Sequence, residues 1–294
     1  MIGVVAHDPG GAEFLSSYLR YNPQPFVCCV EGPAHSVFTR KLGKVESLPL
    51  ELLVDTCTSL LCGTSSVSDL EWRGLRLATS LRKRTISALD HWIGYRRRFL
   101  RGGEWCFPSE IWVSDEAALG LARQELPEVK SLTIKDCFFQ DIRDEIASIE
   151  APKRGINEGV NILFVSEPIR EGGLVLHGDE RYWGFTEEEA LRYFLTNLGR
   201  LFDRVNRIVI RSHPKESRDK YVWTLSEFDL PIIVSEDLPL LHQIVASDVV
   251  VGCATMAMAI AVLAEKRVIS CIPPGGRLSP PPHAEIKEMR SLLA

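Results

Sequence analysis

Short apolar segments alternate with amphipathic ones along the whole chain, and this alternation limits the possible folds more than any other feature of the sequence. Ile2–Ala6 and Phe26–Val30 have the length and composition of buried strands, and a segment with helical periodicity follows each of them. Strands that alternate with helices over short connections form parallel sheets with helices on both faces. The pattern therefore predicts an α/β fold. Further strands are expected at 59–62, 84–89, 110–113, 131–134, 161–165, 207–210, 232–235, 248–252 and 267–271.

A polar stretch rich in glycine and proline, Ala151–Gly159, interrupts the alternation at mid-chain. The 294 residues are enough for two domains of about 150 residues each. We place the boundary in this stretch, which gives one domain at 1–155 and another at 156–294. Each is predicted to be a doubly wound, Rossmann-like sheet. Since such sheets bind ligands at the carboxyl ends of their strands, the two domains are expected to face each other across a binding cleft.

Four segments of the chain have weaker patterns. We assign a short strand near 52–54, a long flexible loop from Ser166 to Gly184, one helix from Thr186 to Arg204 and a final helix at about 284–293. The start of the helix at Thr186 has the clearest signal, because Thr186 followed by Glu189 is a capping-box sequence.

The charge of the chain argues against a nucleic-acid partner. The formal net charge is −5, whereas nucleic-acid-binding proteins carry a basic excess. The exception is the segment Arg73–Arg101, whose only acidic residue is Asp90. Such a segment suits an anionic ligand or lipid headgroups, although a solvated helix face explains it equally well. Its basic residues are Arg73, Arg76, Arg82, Lys83, Arg84, Arg96, Arg97, Arg98 and Arg101.

The cysteines indicate a reducing environment. The eight cysteines form no CxxC pair and no cluster with histidine at zinc-ligand spacing, which suits free buried thiols rather than disulfides. No apolar run reaches the roughly 18 residues that span a bilayer, and no basic leader precedes the first strand. The chain is therefore expected in the cytoplasm, where the Arg73–Arg101 segment could hold it at the inner membrane surface.

The second half of the chain carries a cationic turn after a predicted strand. His213 follows the strand 207–210 and is flanked by Arg211 and Lys215. Histidine holds or donates a proton near neutral pH, and the two cations add positive charge, so the turn suits a phosphate group. A histidine that only caps the turn is the alternative. Thr255 lies between a strand and a helix, where its hydroxyl and the nearby N–H groups form either an anion site or a plain N-cap.

Two further residues of the second half are candidates for nucleotide contacts. Glu167 follows a predicted strand and could bind the base or the ribose of a nucleotide. Gly275, in the loop Pro273–Gly276, belongs either to a donor-side loop or to a surface turn. No Asp-x-Asp pair lies in a suitable loop, so neither a metal nor another cofactor is expected.

The first half of the chain offers carboxylates at the ends of predicted strands. Asp8 lies in a turn with Gly10 and Gly11, where backbone N–H groups open a helix, so the two glycines are predicted to bind a phosphate or nucleotide. Asp90 follows a later strand and is close in sequence to aromatic residues that suit sugar rings. We assign Asp8 as the general base in preference to Asp90, which is a further site residue, and a structural role in a turn is the alternative for both. Asp115 instead fits the N-cap of a helix.

The segments Arg211–Lys215 and Ser247–Ala259 together resemble the C-terminal domain of GT-B glycosyltransferases. The pairing of a His-Pro turn with a later Thr-bearing turn is most similar to the sialyltransferase and Kdo-transferase branch, which uses CMP-sugars. The resemblance covers roughly residues 205–275 and implies that His213 and the Thr255 turn contact the donor phosphate. UDP-sugar enzymes of the fold, including UDP-GlcNAc 2-epimerases, usually carry a ribose-binding glutamate where this chain has Ala259.

The resemblance implies a metal-independent, inverting glycosyltransferase. It would move a sugar from a nucleotide-sugar, CMP-linked in preference to UDP-linked, to a glycan or lipid-linked acceptor in bacterial surface polysaccharide synthesis. The N-terminal domain would bind the acceptor and the C-terminal domain the donor. Two alternatives stay open: a sugar-nucleotide enzyme similar to UDP-GlcNAc 2-epimerase, and a non-catalytic subunit that binds a nucleotide-sugar.

Overall fold

The computed structural model describes residues 1–65, 67–152, 159–234 and 237–294. These residues divide into two compact units, Met1–Asp141 and Ile142–Ala294, which we call the N-domain and the C-domain. The predicted boundary between residues 155 and 156 lies outside the described residues. In the described ranges, no helix is long and apolar enough to cross a membrane.

A parallel sheet with helices around it forms the N-domain. Its strands are β1 (Ile2–Ala6), β2 (Phe26–Val30), β3 (Ser59–Cys62), β4 (Arg84–Ala88), β5 (Leu100–Arg101), β6 (Glu104–Trp105), β7 (Glu110–Val113) and β8 (Lys130–Thr133). Six of them pair in parallel in the order β2-β1-β3-β4-β7-β8, while β5 and β6 form a separate hairpin. All five residues of β1 are buried, as expected for a central strand covered on both faces. The helices are α1 (Pro9–Tyr21), α2 (Pro33–Leu42), α3 (Leu50–Thr56), α4 (Leu70–Ser80) and α5 (Glu116–Glu125). A sixth helix, α6 (Cys137–Ser148), begins in the N-domain and continues past its last residue, Asp141.

The C-domain repeats this architecture. Its strands are β9 (Val160–Val165), β10 (Val205–Arg211), β11 (Ile232–Val234), β12 (Val249–Gly252), β13 (Arg267–Ser270) and β14 (Ile286–Glu288). They form an all-parallel sheet in the order β11-β10-β9-β12-β13-β14. The helices are α7 (Ile169–His177), α8 (Glu187–Thr196), α9 (Leu198–Leu201), α10 (Thr224–Glu227), α11 (Leu240–Val245), α12 (Met256–Leu263) and α13 (Met289–Leu292).

In both sheets the direction of strand addition reverses next to the first strand. In the N-domain β2 is added on one side of β1 and β3 on the other. In the C-domain β10 and β11 lie on one side of β9, and β12 to β14 lie on the other. The C-domain thus has the Rossmann order 3-2-1-4-5-6. Ligands of such sheets bind at the carboxyl ends of the strands that flank these switch points, here β1 with β3 and β9 with β12.

The predicted α/β fold with two parallel sheets is confirmed. The predicted free thiols are confirmed as well, because all eight cysteines are unpaired and seven of them are buried. The expected strand near 52–54 is wrong: these residues belong to α3, in which Leu50, Leu53 and Val54 are buried at helical spacing. The expected loop at 166–184 is wrong in part, since it contains α7.

Two predicted helices also differ from the structure. The helix expected at 186–204 is divided into α8 and α9 at Asn197, whose side-chain amide donates to the Tyr193 carbonyl. The final helix expected at 284–293 is wrong over its first half, where β14 pairs with β13 and buries Ile286. A run of only a few apolar and polar residues does not distinguish an edge strand from a helical turn.

A buried ion cluster fastens α2 to neighbouring helices of the N-domain. The Nζ atom of Lys41 lies 2.7 Å from a Glu13 carboxylate oxygen and 3.0 Å from an Asp141 carboxylate oxygen. The Lys41 side chain is only 7% exposed. Removing one partner from such a cluster leaves a buried charge without compensation, which is strongly destabilising.

Candidate functional site

Three predicted site residues come together at the switch point of the C-domain. Strand β9 lies between β10 and β12, so the loops that follow these three strands are neighbours. Glu167 follows β9, His213 follows β10 and Thr255 follows β12. The carboxyl ends of the central strands therefore carry a carboxyl group, an imidazole and a hydroxyl at one edge of one sheet.

Glu167 is held against the turn that precedes α12. One oxygen of its carboxyl group accepts a hydrogen bond from the Ala254 N–H at 3.1 Å. Burial raises the pKa of Glu167 to about 7, and the negative charges of Glu187 and Glu216 act in the same direction, although the Ala254 N–H opposes them. Near neutral pH the group therefore exists in both protonation states, so it can donate a hydrogen bond as well as accept one.

His213 lies in a turn that fixes its ring. The backbone N–H of His213 donates to Glu216 Oε2 at 2.8 Å, and the N–H of Lys215 donates to Nδ1 of the imidazole at 3.2 Å. Because Nδ1 accepts, the neutral ring carries its proton on Nε2. Burial lowers the pKa of His213 despite the nearby carboxylate of Glu216. At neutral pH the ring thus offers an uncharged Nε2–H donor.

The two predicted cations next to His213 lie in different environments. Arg211 donates from Nη1 to the Leu238 carbonyl at 2.7 Å and to the side-chain oxygen of Gln243 at 2.6 Å. It thereby holds the loop before α11. Lys215 is exposed on the turn itself. The positive charge available beside the imidazole therefore comes from Lys215, whereas Arg211 supports the neighbouring loop.

Thr255 is the N-cap of α12. Its Oγ1 accepts from the Ala257 N–H at 3.4 Å. The N-cap interpretation is therefore confirmed. It is compatible with anion binding, because a cap satisfies one of the four N–H groups that have no partner within the first turn.

Gly275 occupies a tight turn. Its φ is +84°, and the Gly276 N–H donates to the Pro273 carbonyl at 3.0 Å across the turn Pro273–Gly276. Proline at the second position and glycine at the third are typical of a type II turn, which requires positive φ at the third. The surface-turn interpretation thus explains this glycine without a ligand.

The sequence alone does not reveal a buried polar network behind the His213 turn. Lys220 forms ion pairs with Glu187 and Glu216, whose side chains are each only 3% exposed. Glu216 Oε1 lies 2.9 Å from Lys220 Nζ and accepts from the Tyr221 hydroxyl at 3.0 Å. The four-residue spacing of Glu216 and Lys220 is visible in the sequence, but Glu187 comes from α8 and has no local signal.

Glu167→Gln is expected to stabilise the C-domain above about pH 7 and to leave its stability unchanged near pH 4.5. A carboxyl group whose pKa is higher in the folded state than in the unfolded state stabilises the fold most at a pH below its unfolded pKa. This contribution to the free energy of unfolding is lost as the pH rises toward 7. The amide keeps an acceptor for the Ala254 N–H. The difference in the free energy of unfolding should reach at most about 3 kcal/mol at alkaline pH. Urea denaturation of both proteins over this pH range measures it, and a difference independent of pH contradicts the expectation.

At the switch point of the N-domain, Asp8 forms a pair with His7. Nδ1 of His7 donates to Asp8 Oδ1 at 3.1 Å, and the Ser65 hydroxyl donates to the same oxygen at 2.7 Å. The two side chains are 23% and 24% exposed, so the pair is accessible to a ligand. With Nδ1 as the donor, Nε2 of the neutral ring is an acceptor. A Cβ at Gly32 would lie 2.7 Å from Nε2, so the close approach of the two residues requires a glycine there.

Glu71 supports the turn that carries this pair. Its Oε1 accepts from the His7 N–H at 2.7 Å, and the residue is only 4% exposed. Burial raises the pKa of Glu71, although the backbone hydrogen bonds oppose the shift. Glu71 belongs to α4, and nothing in the sequence near His7 points to it.

Asp90 is engaged in packing as well as in an ion pair. Its Oδ1 accepts from Arg98 Nη1 at 2.8 Å, and a Cβ at Gly10 would lie 1.8 Å from its Oδ2. Gly10 therefore has to be a glycine, because the Asp90 carboxylate covers it. Gly11 is also constrained, since a Cβ there would lie 3.1 Å from Cα of Gly63. These glycines bring the start of α1 close to the loops after β3 and β4.

Asp115 caps α5. Its Oδ1 accepts from the Ala118 N–H at 2.7 Å, and its Oδ2 accepts from the Trp92 indole N–H at 2.9 Å. The interpretation of Asp115 as an N-cap is confirmed, and both of its oxygens are engaged in structural hydrogen bonds.

The basic segment Arg73–Arg101 is neutralised in part by acidic residues of the N-domain. Arg84 and Arg96 have guanidinium nitrogens 2.8 and 2.7 Å from carboxylate oxygens of Glu110 and Glu128. A surface whose cations are already paired attracts anionic ligands less than the sequence suggests, and membrane contact through it stays a prediction. Further ion pairs join Arg73 to Glu51 and Asp69, Arg76 to Glu104 and Arg98 to Asp90.

No protein-family model and no curated protein sequence matches the chain, but solved structures do. One is a UDP-GlcNAc 2-epimerase from Methanocaldococcus jannaschii, with 11% identity, a TM-score of 0.56 and a match over 92% of this chain and 83% of that one. A putative UDP-N-acetylglucosamine 2-epimerase from Listeria monocytogenes has 12% identity, a TM-score of 0.57 and coverages of 91% and 78%. The glycotransferase of kitacinnamycin has 12% identity, a TM-score of 0.58 and coverages of 98% and 85%. The chain shares their fold.

The shared fold consists of two parallel-sheet α/β domains of the GT-B kind. The resemblance to GT-B proteins is confirmed at this level. Identities of 11% and 12% show the fold alone. The sialyltransferase and Kdo-transferase branch is named by none of these three structures and stays a prediction.

Proposed function

We propose that the protein is a glycosyltransferase with a nucleotide-sugar donor. The observation that carries the proposal is the position of His213, Glu167 and Thr255 after three neighbouring strands at the switch point of the C-domain sheet, where sheets of this order bind nucleotides. The fold shared with a glycotransferase and two UDP-GlcNAc 2-epimerases supports it. A CMP-linked sugar is preferred to a UDP-linked one, because Ala259 stands where UDP-sugar enzymes usually carry a ribose-binding glutamate.

On the donor side, hydrogen-bond donors stabilise the leaving phosphate. The Nε2–H of His213 donates to the phosphate oxygen on which charge develops as its bond to the anomeric carbon breaks. The N–H groups at the start of α12, next to Thr255, add the positive end of a helix dipole. Glu167 in its protonated form donates to a phosphate or ribose oxygen, and Lys215 adds positive charge. Because these groups supply the stabilisation, the proposal includes neither a metal nor another cofactor.

On the acceptor side, the His7–Asp8 pair takes up the proton. Asp8 orients the ring through Nδ1, so that Nε2 can accept the proton of an acceptor hydroxyl. The hydroxyl oxygen bonds to the anomeric carbon while the bond to the phosphate oxygen breaks, and attack from the opposite side inverts the configuration. Asp90 keeps the Arg98 guanidinium beside this turn. The proposed acceptor is a glycan or a lipid-linked sugar of a bacterial surface polysaccharide.

A thermal-shift panel with CMP, UDP, GDP and ADP tests the donor class. At a concentration of about 100 Kd, a bound nucleotide adds about 2.7 kcal/mol and raises the unfolding temperature by roughly 5 to 10 °C. We expect the largest rise with CMP and the next largest with UDP. If none of the four nucleotides changes the unfolding temperature, the proposed function is contradicted. A rise confined to GDP or ADP contradicts the preference for CMP.

An epimerase is the second candidate, because two of the three structures that share the fold carry that name. An epimerase converts its sugar nucleotide without an acceptor. Incubation with UDP-GlcNAc alone therefore separates the two candidates: an epimerised product supports the second, and unchanged UDP-GlcNAc supports the first.

A further inference from the structure

Two buried carboxylates behind the His213 turn share a single cation. Lys220 Nζ forms an ion pair with Glu187 and another with Glu216 Oε1 at 2.9 Å, while Glu188 Oε1 lies 3.6 Å away. The Lys220 side chain is 21% exposed, far more than those of its two main partners. Partial burial disfavours the charge of Lys220, but hydrogen bonds to Glu187 and Glu216 raise its pKa. The lysine therefore stays charged at neutral pH and balances both carboxylates.

One arm of this cluster reaches the loops after β9 and β10. Glu216 Oε2 accepts from the His213 N–H at 2.8 Å, and Glu216 Oε1 accepts from the Tyr221 hydroxyl at 3.0 Å. The Tyr221 hydroxyl is also hydrogen-bonded to Ser166, the residue before Glu167. Glu216 thus holds the first of these loops through Tyr221 and the second directly.

The other arm reaches the start of α7. Glu187, in the first turn of α8, accepts from the Arg170 N–H at 2.8 Å through Oε2. Its Oε1 pairs with Lys220. Lys220 therefore joins the His213 turn to the beginnings of two helices that surround the switch point.

The ammonium group of Lys220 keeps Glu216 ionised and in place to accept the hydrogen bond from the His213 N–H. Although burial disfavours its charge, the hydrogen bonds from Lys220 and from the His213 N–H lower the pKa of Glu216. Without the ammonium group, two buried carboxylates would be left with no cation between them. At least one would have to take up a proton or turn toward water. Either change moves the acceptor of the His213 N–H, and the imidazole moves with its backbone.

We propose that Lys220 is a positioning residue of the donor site: through Glu216 it fixes the His213 turn so that the Nε2–H faces the leaving phosphate. Lys220 itself does not touch the ligand. The identity of the ligand in this role rests on the proposed function. The placement of the His213 ring does not, because it can be measured in the protein without a ligand.

Lys220→Met tests the role, because it removes the ammonium group and keeps a long apolar side chain. Nitrogen NMR of the His213 ring is expected to show a single tautomer with the proton on Nε2 in the wild-type protein and a mixture in the variant. Titration calorimetry with CMP and UDP should show binding weakened by about 10²-fold, the order of effect of losing one strong hydrogen bond to a charged phosphate. Lys220→Arg keeps the charge and should restore binding to within about tenfold of the wild type.

Lys41→Met is the matched control, because Lys41 is also a buried lysine that pairs with two carboxylates, but in the N-domain. It should lower the unfolding temperature and leave nucleotide affinity and the His213 tautomer unchanged. If Lys220→Met does not fold, Glu216→Gln is used for the same measurements. The glutamine amide has only one acceptor oxygen, so it cannot accept from all the donors that reach the Glu216 carboxylate.

An unchanged His213 tautomer in the variant that folds overturns the positioning role, even if nucleotides bind. A wild-type protein that binds no nucleotide overturns the proposed function instead. The tautomer comparison then still decides whether Lys220 positions the ring.

Discussion

His213→Ala is expected to lower turnover by about 10²- to 10³-fold, the effect of removing one hydrogen-bond donor to a developing oxyanion. Alanine lacks the Nε2–H but keeps the backbone N–H that donates to Glu216, so the turn itself should persist. The loss is therefore expected in the chemical step, with the fold intact. The loss of turnover is measured as the rate at which the enzyme releases nucleotide from a sugar nucleotide. The thermal-shift panel determines which nucleotide this substrate carries.

Two further variants separate the donor role of His213 from a structural one. His213→Gln places an amide N–H near the position of Nε2 and is expected to recover about tenfold of the lost rate. His242→Ala changes an exposed histidine of α11 in the same domain and should leave turnover unchanged. Turnover of His213→Ala close to that of the wild type would rule out the proposed role.

Four strands of the N-domain sheet could be predicted from the sequence because each is a short apolar run between polar or glycine-containing loops. The predicted bounds of Ile2–Ala6, Phe26–Val30, Ser59–Cys62 and Glu110–Val113 agree with the structure at both ends. Most residues of these strands are buried, so their local sequence contains the whole signal. The parallel sheets follow from the alternation of such strands with helices.

Helix α7 could not be predicted, because the pair Gly172-Gly173 disfavours a helix and a run of three apolar residues obscures its buried face. Leu174, Val175 and Leu176 are consecutive apolar residues that are all exposed. Ile169 and Gly173 are buried one turn apart, and a Cβ at Gly173 would lie 2.6 Å from the Asp179 carbonyl oxygen. This close approach belongs to the folded loop and leaves no periodic pattern in the sequence.

The site residues at strand ends could be predicted one by one, but their partners could not. The hydrogen bonds from Ser65 to Asp8 and from Ala254 to Glu167 join residues 57 and 87 positions apart. A local pattern shows that a residue follows a strand, whereas the order of the strands decides which loops meet. The charge of the segment Arg73–Arg101 looked unbalanced in the sequence for the same reason, since most of the acidic residues that pair with it lie outside the segment. Those partners are Glu51, Asp69, Glu104, Glu110 and Glu128.

His7→Ala is expected to lower turnover by about 10²- to 10⁴-fold, the usual contribution of a general base. Nucleotide affinity should stay unchanged, because the groups proposed to stabilise the donor phosphate (His213, Glu167, Lys215 and the start of α12) belong to the C-domain. Asp8→Asn should cause a loss of similar size: its amide can donate to Nδ1, which moves the ring proton to Nε2 and removes the acceptor. Turnover rates and nucleotide dissociation constants of the same preparations check both expectations.

The choice between His7 and Asp90 as the base follows from the contacts that each makes. Asp90 is paired with Arg98 and packed on Gly10, so Asp90→Asn should disturb the turn and weaken folding as well as turnover. The His7 pair is accessible, and its loss should act on turnover alone. His35→Ala, on the exposed side of α2, is the matched control and should match the wild type. Normal turnover in His7→Ala together with a large loss in Asp90→Asn at unchanged stability would transfer the role of base to Asp90.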